Sequence, residues 1–468
     1  KRKALQCRFM IAMETETFRV RPRSTRPEIS FPLTFFDIYS FKFNPTEFIF
    51  LYKLPHPSPE NFSSAVLPDL MTSLSLALDY FHPLAGRVVW PPGDPKPLIL
   101  CDPNGTVSLT VARANNPEAF LLLTGEKSVS ATEAQKCVPE LSNDDLFAEV
   151  ISLQVTFFRD YGVAIGISAH HAVLDGKSIV MFMKAWATIN KSLSGVHNAP
   201  PLPPELTPCL ERYIQNDDAL YFKLLSWWTT GKHPWARISD NPKSMKLLPR
   251  STADPSLVKR TFKISFNEAE KIKRFVSNKH GADSQTLHLS TFVVAYALAI
   301  TSIVKAMKVA SSILIILTAD FRARVGLPEN YFGNCVCGTV RKISPGDVTG
   351  DDGMATVAKN VGDIVKDLRV LSLEEALKTT FFSDNFAGTV QKFQVTGSPR
   401  SGFYHTDFGW GKPVKVDLAS LDGSGNIYMI DGEDGDGVQI GLVFEADVME
   451  SFSSLFSQGI ESCINESV

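Results

Sequence analysis

The chain has 468 residues, of which 44% are hydrophobic and 21% charged. These are ordinary globular values that exclude a disordered, collagen-like or coiled-coil protein, and the length suits two domains. Its 47 Lys and Arg against 50 Asp and Glu leave a formal charge of −3, so charge gives no reason to expect a nucleic-acid partner.

The charge is unevenly spread. Residues 1–26 hold eight Lys and Arg against two acidic residues, a local +6, so the remainder carries −9. The only apolar run near the start, Phe9–Met13, is shorter than the ~7–15 residue core of a secretory leader. Residues 1–12 read as an upstream extension, with Met13 a plausible start. Interleaved with Pro22, Arg19–Arg26 reads as a solvated arm. Seven cysteines (Cys7, Cys101, Cys137, Cys209, Cys335, Cys337, Cys463) are odd in number and scattered, which suits a reducing compartment rather than a disulfide framework. The expectation is a cytoplasmic protein.

Pro68–Tyr80 has Leu70, Met71, Leu74 and Leu78 at helical spacing and should end by His82-Pro83, because proline disfavours helical geometry in the residue before it. Val150–Phe158 alternates apolar and polar residues, which predicts a half-buried strand. A turn at Arg159–Gly162 and renewed alternation over Val163–Ala169 predict a hairpin. Gly195–Cys209 is too rich in proline for a regular helix or central strand and is the best linker candidate. Further on, Asn267–Asn278 reads as a helix with Asn267 as N-cap and Glu270 completing a capping box. Leu289–Val304 is the longest apolar run. It contains Ser290, Thr291, Thr301 and Ser302 and falls short of a membrane span of about 20 residues, so it reads as a buried helix. Ser311–Thr318 should be a buried strand, Val357–Leu368 a helix, and Gly425–Ile430 with Val438–Phe444 two strands. Both halves mix strands and helices without a steady βαβ rhythm, which favours mixed-sheet α/β layers.

The segment Ser168-Ala-His-His-Ala-Val-Leu-Asp-Gly176 is the most informative. Period-2 alternation sends His170 and His171 to opposite faces, so only one serves a given site. From Gly176, Ile179, Phe182, Met183, Trp186 and Asn190 follow helical spacing. His171 therefore stands at a strand end and Asp175 just before a helix. A neutral imidazole near pH 6.5 suits a general base. The structural alternative is a pair of satisfied core histidines with Asp175 as an N-cap.

His-His-x-x-x-Asp-Gly resembles the signature of CoA-dependent acyltransferases and condensation domains. Asp407-Phe-Gly-Trp-Gly-Lys-Pro413 resembles the Asp-Phe-Gly-Trp-Gly motif of the plant BAHD acyltransferases. Leu33-Thr-Phe-Phe-Asp37, Pro83-Leu-Ala-Gly-Arg87, Ser290-Thr-Phe292 and Asp320-Phe-Arg-Ala-Arg324 match along most of the chain. Tyr331-Phe-Gly-Asn-Cys-Val336 is similar to a motif of the branch acting on anthocyanins and other phenolic glycosides. Only the basic stretch before Leu33 looks unlike the family.

The resemblance implies two similar-sized α/β domains of chloramphenicol acetyltransferase type, with mixed sheets, a long crossover loop and an active-site channel between them. The expected bounds are 13–194 and 226–468, with the crossover at 195–225. It implies that His171 deprotonates an acceptor hydroxyl, which attacks the thioester of malonyl-CoA or a hydroxycinnamoyl-CoA such as coumaroyl-CoA, with no acyl-enzyme. Asp175 would support His171, paired with Arg322 or, as the alternative, Arg324. Asp407, Gly409 and Gly411 would be structural, with Trp410 a contributor near the oxyanion. Asp37, Ser290, Thr291 and Asn334 would belong to the substrate channel. Acyl-CoA is expected as co-substrate, a phenolic glycoside as acceptor, and a monomer that binds neither membrane nor nucleic acid and holds no cofactor.

A malonyl carboxylate would need a cation, for which Lys177 and Arg400 are nearest to key motifs. No metal is expected. Cys335-x-Cys337 lacks a second ligand pair of matching spacing. Asp431–Gly437 has Asp436 where a calcium loop needs glycine, so it reads as a turn. The competing functions are a catalytically silent small-molecule binder, a carrier-dependent condensation domain, and an acyltransferase for a non-glycosylated alcohol.

Overall fold

The computed structural model describes residues 13–193, 201–212, 218–230, 241–248, 254, 256–281, 287–375, 390–420, 425–433, 435 and 437–466. Residues 195–200 of the proline-rich stretch, 213–217 of the expected crossover, and residues 434 and 436 of the acidic turn lie outside these.

The two alternating runs before the histidines fold as the expected hairpin. Ile151–Phe158 and Gly162–Ala169 pair antiparallel, with Phe158 opposite Gly162 and Ile151 opposite Ala169. They are the central strands of a six-stranded sheet. Its order is Met13–Val20, Val107–Ala114, Ile151–Phe158, Gly162–Ala169, Thr46–Lys53 and Lys415–Leu418. Val107–Ala114 and Ile151–Phe158 run parallel and the other neighbours antiparallel, so the sheet is mixed.

Both central strands are buried along their whole length, where alternation predicted one solvated face. The polar face is covered by chain, and its side chains find partners there. The Gln154 amide donates to the Lys136 carbonyl at 2.8 Å and to Thr156 Oγ1 at 2.9 Å. At Gly166 a Cβ would stand 2.0 Å from the Cys137 carbonyl oxygen, so the cover leaves no room for a side chain.

The described residues fall into two compact units. The first holds those before 252 together with Pro328–Asn334 and His405–Ser420. Two segments from the C-terminal half thus complete the unit that contains the N-terminal half. The first unit also has a four-stranded antiparallel sheet, in the order Ile29–Pro32, Leu98–Cys101, Arg87–Val89, Phe147–Glu149. The helix Leu67–Tyr80, with Pro68 in its first turn, packs against the helix Gly176–Leu193.

The arm Arg19–Arg26 exposes all four of its arginines, as expected, and is anchored by the strand that leads into it. Met13–Val20 pairs along its length with Val107–Ala114. Arg19 forms an ion pair with the largely buried Glu149 at 2.6 Å, and Arg26 donates to the Asp79 carbonyl at 2.8 Å. These contacts tie down the backbone of the arm and leave its basic side chains largely in solvent.

The second unit contains a mixed sheet with Val336–Ile343, Ser312–Asp320, Val390–Thr396, Asn426–Asp431, Val438–Glu445 and Leu257–Ile264 in that order. The apolar run forms the helix Thr291–Ala306, buried from Val293 to Val304 and flanked by the helices Gly353–Val370, Ala446–Glu466 and Phe266–His280. The last of these begins two residues earlier than predicted. Ser265 and Glu268 form the capping box, not Asn267 and Glu270. Ser265 N–H donates to Glu268 Oε2 at 2.8 Å, and Glu268 N–H to Ser265 Oγ at 3.3 Å. The Asp431 carboxylate accepts from the N–H groups of Gly402, Phe403 and Tyr404 at 2.9–3.3 Å, a structural use for that residue. Among the described residues no helix is long and apolar enough to cross a membrane.

Candidate active site

The strand Gly162–Ala169 ends immediately before the histidine pair. His170 N–H closes the ladder on the Val150 carbonyl at 2.8 Å, and the chain then turns, with Val173 N–H on the His170 carbonyl at 2.9 Å. His170 is buried, and its Nδ1 accepts the Ala172 N–H at 3.1 Å. Burial, and then the neighbouring His171, push its pKa down to about 3. His170 is thus a neutral core histidine that holds the turn.

His171 is partly exposed, and its ring meets Phe43 edge-on with centroids 5.8 Å apart. Phe43 in turn packs edge-on to Trp228 at 5.6 Å and Tyr39 at 5.3 Å. This aromatic wall fixes the imidazole plane. Burial lowers the His171 pKa, while its own carbonyl and Asp175 pull the other way. The ring is therefore neutral at pH 7, the state a base requires. Nδ1 is a buried nitrogen with no hydrogen-bond partner among the described residues.

Asp175 lies at the start of the helix Gly176–Leu193, and its Oδ1 accepts Ser178 N–H at 2.9 Å. The capping expected in the structural alternative is present, and it coexists with an electrostatic influence on His171. Tyr331-Phe-Gly-Asn334 runs alongside. Ser178 Oγ donates to the Gly333 carbonyl at 2.9 Å and accepts Gly333 N–H at 3.0 Å, while Phe332 packs against Phe81 at 4.9 Å. These contacts deliver Asn334, fully buried, to the His171 carbonyl, where its Nδ2 donates at 2.6 Å. Asp37, also fully buried, accepts Thr34 N–H at 2.7 Å and an Arg212 N–H at 2.8 Å. Burial raises the Asp37 pKa, with Arg212 the foremost opposing influence.

The Asp407–Gly411 motif sits at the other end of the same helix. Asn190 Nδ2 donates to the Phe408 carbonyl at 2.8 Å, and Lys191 Nζ to Asp407 Oδ2 at 2.6 Å. Asp407 Oδ1 accepts the N–H groups of Gly409 at 2.8 Å and Gly411 at 2.9 Å. Both glycines have positive φ, 100° and 93°, which side-chain-bearing residues rarely adopt. Partial burial works to raise the Asp407 pKa, but Lys191 and the two glycine N–H groups outweigh it and hold the carboxyl below its ordinary value. Trp410 stacks on Phe408 at 5.6 Å and meets Tyr52 edge-on at 5.8 Å. Asn190 stands about four helical turns, roughly 20 Å, beyond the Asp175 end. Tyr52 lies opposite Val163, at the far end of the strand that leads to His170. Trp410 is thus well away from His171.

The remaining expected residues lie in the second unit. Ser290 caps the helix Thr291–Ala306, with its Oγ accepting Val293 N–H at 3.3 Å, and Thr291 is half-buried beside it. Arg322 is fully buried and pairs with Asp320 at 3.1 Å. Cys337 is buried in a strand, its thiol pKa pushed up to about 12 by burial. Of the two candidate cations, Lys177 is ion-paired with Glu329, and Arg400 is exposed. Sequence reading missed Phe43, Trp228 and Arg212, which lie far from the motif and carry no local signature.

Comparison with known proteins adds five matches. Residues 11–458 match a family model described as the transferase family. Phenolic glucoside malonyltransferase 2 of Arabidopsis thaliana is 36% identical over 440 residues, covering 92% of this chain and 94% of that protein. Malonyl-CoA:anthocyanidin 5-O-glucoside-6''-O-malonyltransferase of the same plant is 35% identical, over 95% and 98%. Agmatine coumaroyltransferase, also from that plant, is 34% identical over 92% and 94%. Among solved structures, vinorine synthase superposes with a TM-score of 0.61 at 20% identity, over 95% of this chain and 98% of that one, a likeness of fold.

Proposed function

We propose, on the premise that the chain belongs to the BAHD acyltransferases of the transferase family, that it moves a malonyl group from coenzyme A to a sugar hydroxyl of a phenolic or anthocyanin glucoside. The chain is an acyl-CoA-using acyltransferase with an α/β fold of two units. The observation that carries the finer reading is similarity along almost the full length to two glucoside malonyltransferases.

The reaction is written with His171 as general base. Nδ1 is buried, which leaves Nε2 to take the proton. The imidazole removes the proton from the acceptor hydroxyl as the oxygen attacks the thioester carbonyl carbon. The tetrahedral oxyanion collapses, the carbon–sulfur bond breaks, and the imidazolium returns the proton to the CoA thiolate. No serine or cysteine nucleophile takes part.

Asp175 favours the charged imidazole that forms on the way, and Arg322 is assigned the supporting role that the family resemblance gives it. Asp407, Gly409 and Gly411 are assigned to structure. We place Trp410 with them, because its packing on Phe408 and Tyr52 belongs to the end of the helix remote from His171. Ser290 and Thr291 remain assigned to the substrate channel. Asn334 and Asp37 are enclosed, so they serve the site by holding the turn rather than by touching substrate.

The test is a panel of donors and acceptors. Purified enzyme is incubated with malonyl-CoA or coumaroyl-CoA against phenolic glucosides, anthocyanins and agmatine, with free CoA and acylated product measured. Malonylated glucoside is the expected product. Exclusive coumaroylation of the amine would replace the substrate assignment while keeping the transferase chemistry. Release of no CoA with any pair would overturn the reading.

A further inference from the structure

One arginine from the expected crossover joins the segments that hold the histidine turn. The crossover does not simply span a gap, because residues before Arg212 are seated on the Tyr331 segment. Cys209 N–H donates to the Asn330 carbonyl at 2.9 Å, Phe332 N–H to the Cys209 carbonyl at 2.9 Å, and Asn330 Nδ2 to the Thr207 carbonyl at 2.8 Å. Arg212 follows, with its side chain 2% exposed. One arm of its guanidinium donates to Asp37 Oδ2 at 2.8 Å and the other to the Val173 carbonyl at 3.1 Å.

Val173 belongs to the turn, two residues after His171. The same guanidinium therefore grips the His171 turn and the carboxylate of the helix Phe35–Tyr39, which leads to Phe43. Asn334, at the end of the segment on which the crossover is seated, holds the His171 carbonyl from another direction. A buried ion pair is a poor source of net stability, because desolvation offsets the attraction. A planar fork that satisfies two acceptors at once is a good source of fixed geometry.

We propose that Arg212 is a positioning residue for the reaction, through which the crossover segment sets the placement of the His171 imidazole. The inference rests on the reading of His171 as the base. Arg212 touches neither substrate in this scheme. Its removal would loosen the turn at Val173 and leave Asp37 buried without its cation. Displacement of a catalytic group by about 1 Å is enough to cost on the order of 100-fold in rate.

The test compares Arg212→Ala, Arg212→Lys and His171→Ala with wild type, using malonyl-CoA and a phenolic glucoside. Thermal melting is recorded on the same samples. Arg212→Ala is expected to lower kcat by about 10- to 100-fold, with KM for the donor within about two-fold. Millimolar methylguanidinium should restore part of that kcat, and should do nothing for His171→Ala. Arg212→Lys pairs with Asp37 but lacks the second arm, so it should melt nearer to wild type yet keep a low kcat. A natively melting Ala or Lys variant with kcat within two-fold of wild type would overturn the proposal. So would a loss that only follows the unfolded fraction and does not respond to methylguanidinium. Should the Ala variant fail to fold, the Lys variant alone decides. Full turnover by His171→Ala would overturn the base assignment instead, whereas an inactive His171→Ala beside a normal Arg212→Lys removes only the role given to Arg212.

Discussion

The side-chain amide of Asn334 donates to the main-chain carbonyl of His171 at 2.6 Å. The candidate base is thus held by its backbone, from a segment more than 150 positions away in the chain, while its ring is left open to chemistry. Asn334→Ala removes the donor and should lower kcat by about 10- to 100-fold, with donor KM little changed. Asn334→Asp puts an acceptor where a donor stood and should be no better. Steady-state kinetics on both variants checks this, and an unaltered kcat in either would separate the contact from the reaction.

Removing the imidazole is the direct test of the mechanism. His171→Ala should cost about 100- to 10,000-fold in kcat, the usual contribution of a positioned general base. His170→Gln is the control. His170 faces its own turn, so that variant should lose stability and retain most of its activity per folded molecule.

The two histidines also set a pH dependence. Both have pKa values lowered by burial, to about 3 for His170. The fold therefore favours the neutral rings, whereas the unfolded chain takes up protons below about pH 6.5. Their contribution is complete above that value and declines as pH falls below it, for His170 down to about 3 and by up to ~1.4 kcal/mol per pH unit. Thermal melts across that window should show the decline, and His170→Gln should make it shallower. The acid limb of kcat/KM should fall below pH 6.5 for the same reason, so a limb centred above 7 would contradict the stated environment of His171.

The single carboxylate of Asp407 takes three contacts, one from Lys191 on the helix and two from the N–H groups of Gly409 and Gly411 in its own loop. Asp407→Ala should destabilise the protein by about 1–3 kcal/mol through the loss of hydrogen bonds to a charged carboxylate, the exposed glycine N–H groups passing to water. The kcat of the folded fraction should stay close to wild type, because the loop stands at the remote end of the helix. Chemical denaturation paired with active-site-normalised kinetics distinguishes this from a catalytic role.

Gly166 tests the covered face of the sheet. A methyl there would lie 2.0 Å from the Cys137 carbonyl oxygen, which is backbone and has little freedom to yield. Gly166→Ala should cost at least the ~1–3 kcal/mol typical of overpacking, read from a denaturation midpoint.

How much of this could be read in advance depended on distance along the chain. His171 and Asp175 were legible because strand end, turn and helix start lie within one short segment. The apolar run at Leu289 was legible because the helix Thr291–Ala306 is buried on all sides and needs no partner to identify it. The cap at Ser265 was present as Ser-x-x-Glu and was misplaced by two residues. By contrast, Arg212 meets Asp37 across 175 positions, and no periodicity encodes such a pair. The polar face of Ile151–Phe158 was misread as solvated because alternation reports chemistry, not what covers it.

The strand Lys415–Leu418 has its own consequence for how the protein is made. It pairs with Thr46–Lys53, at the edge of a sheet built otherwise from early chain. At about 5–20 residues per second, roughly 360 residues must be synthesised between the two, a delay of about 20–70 s. During that interval Thr46–Lys53 is an unprotected edge on the ribosome, with Phe48, Phe50 and Tyr52 along it. Translation speed through the second half, and chaperones that shield that edge, thus become determinants of yield.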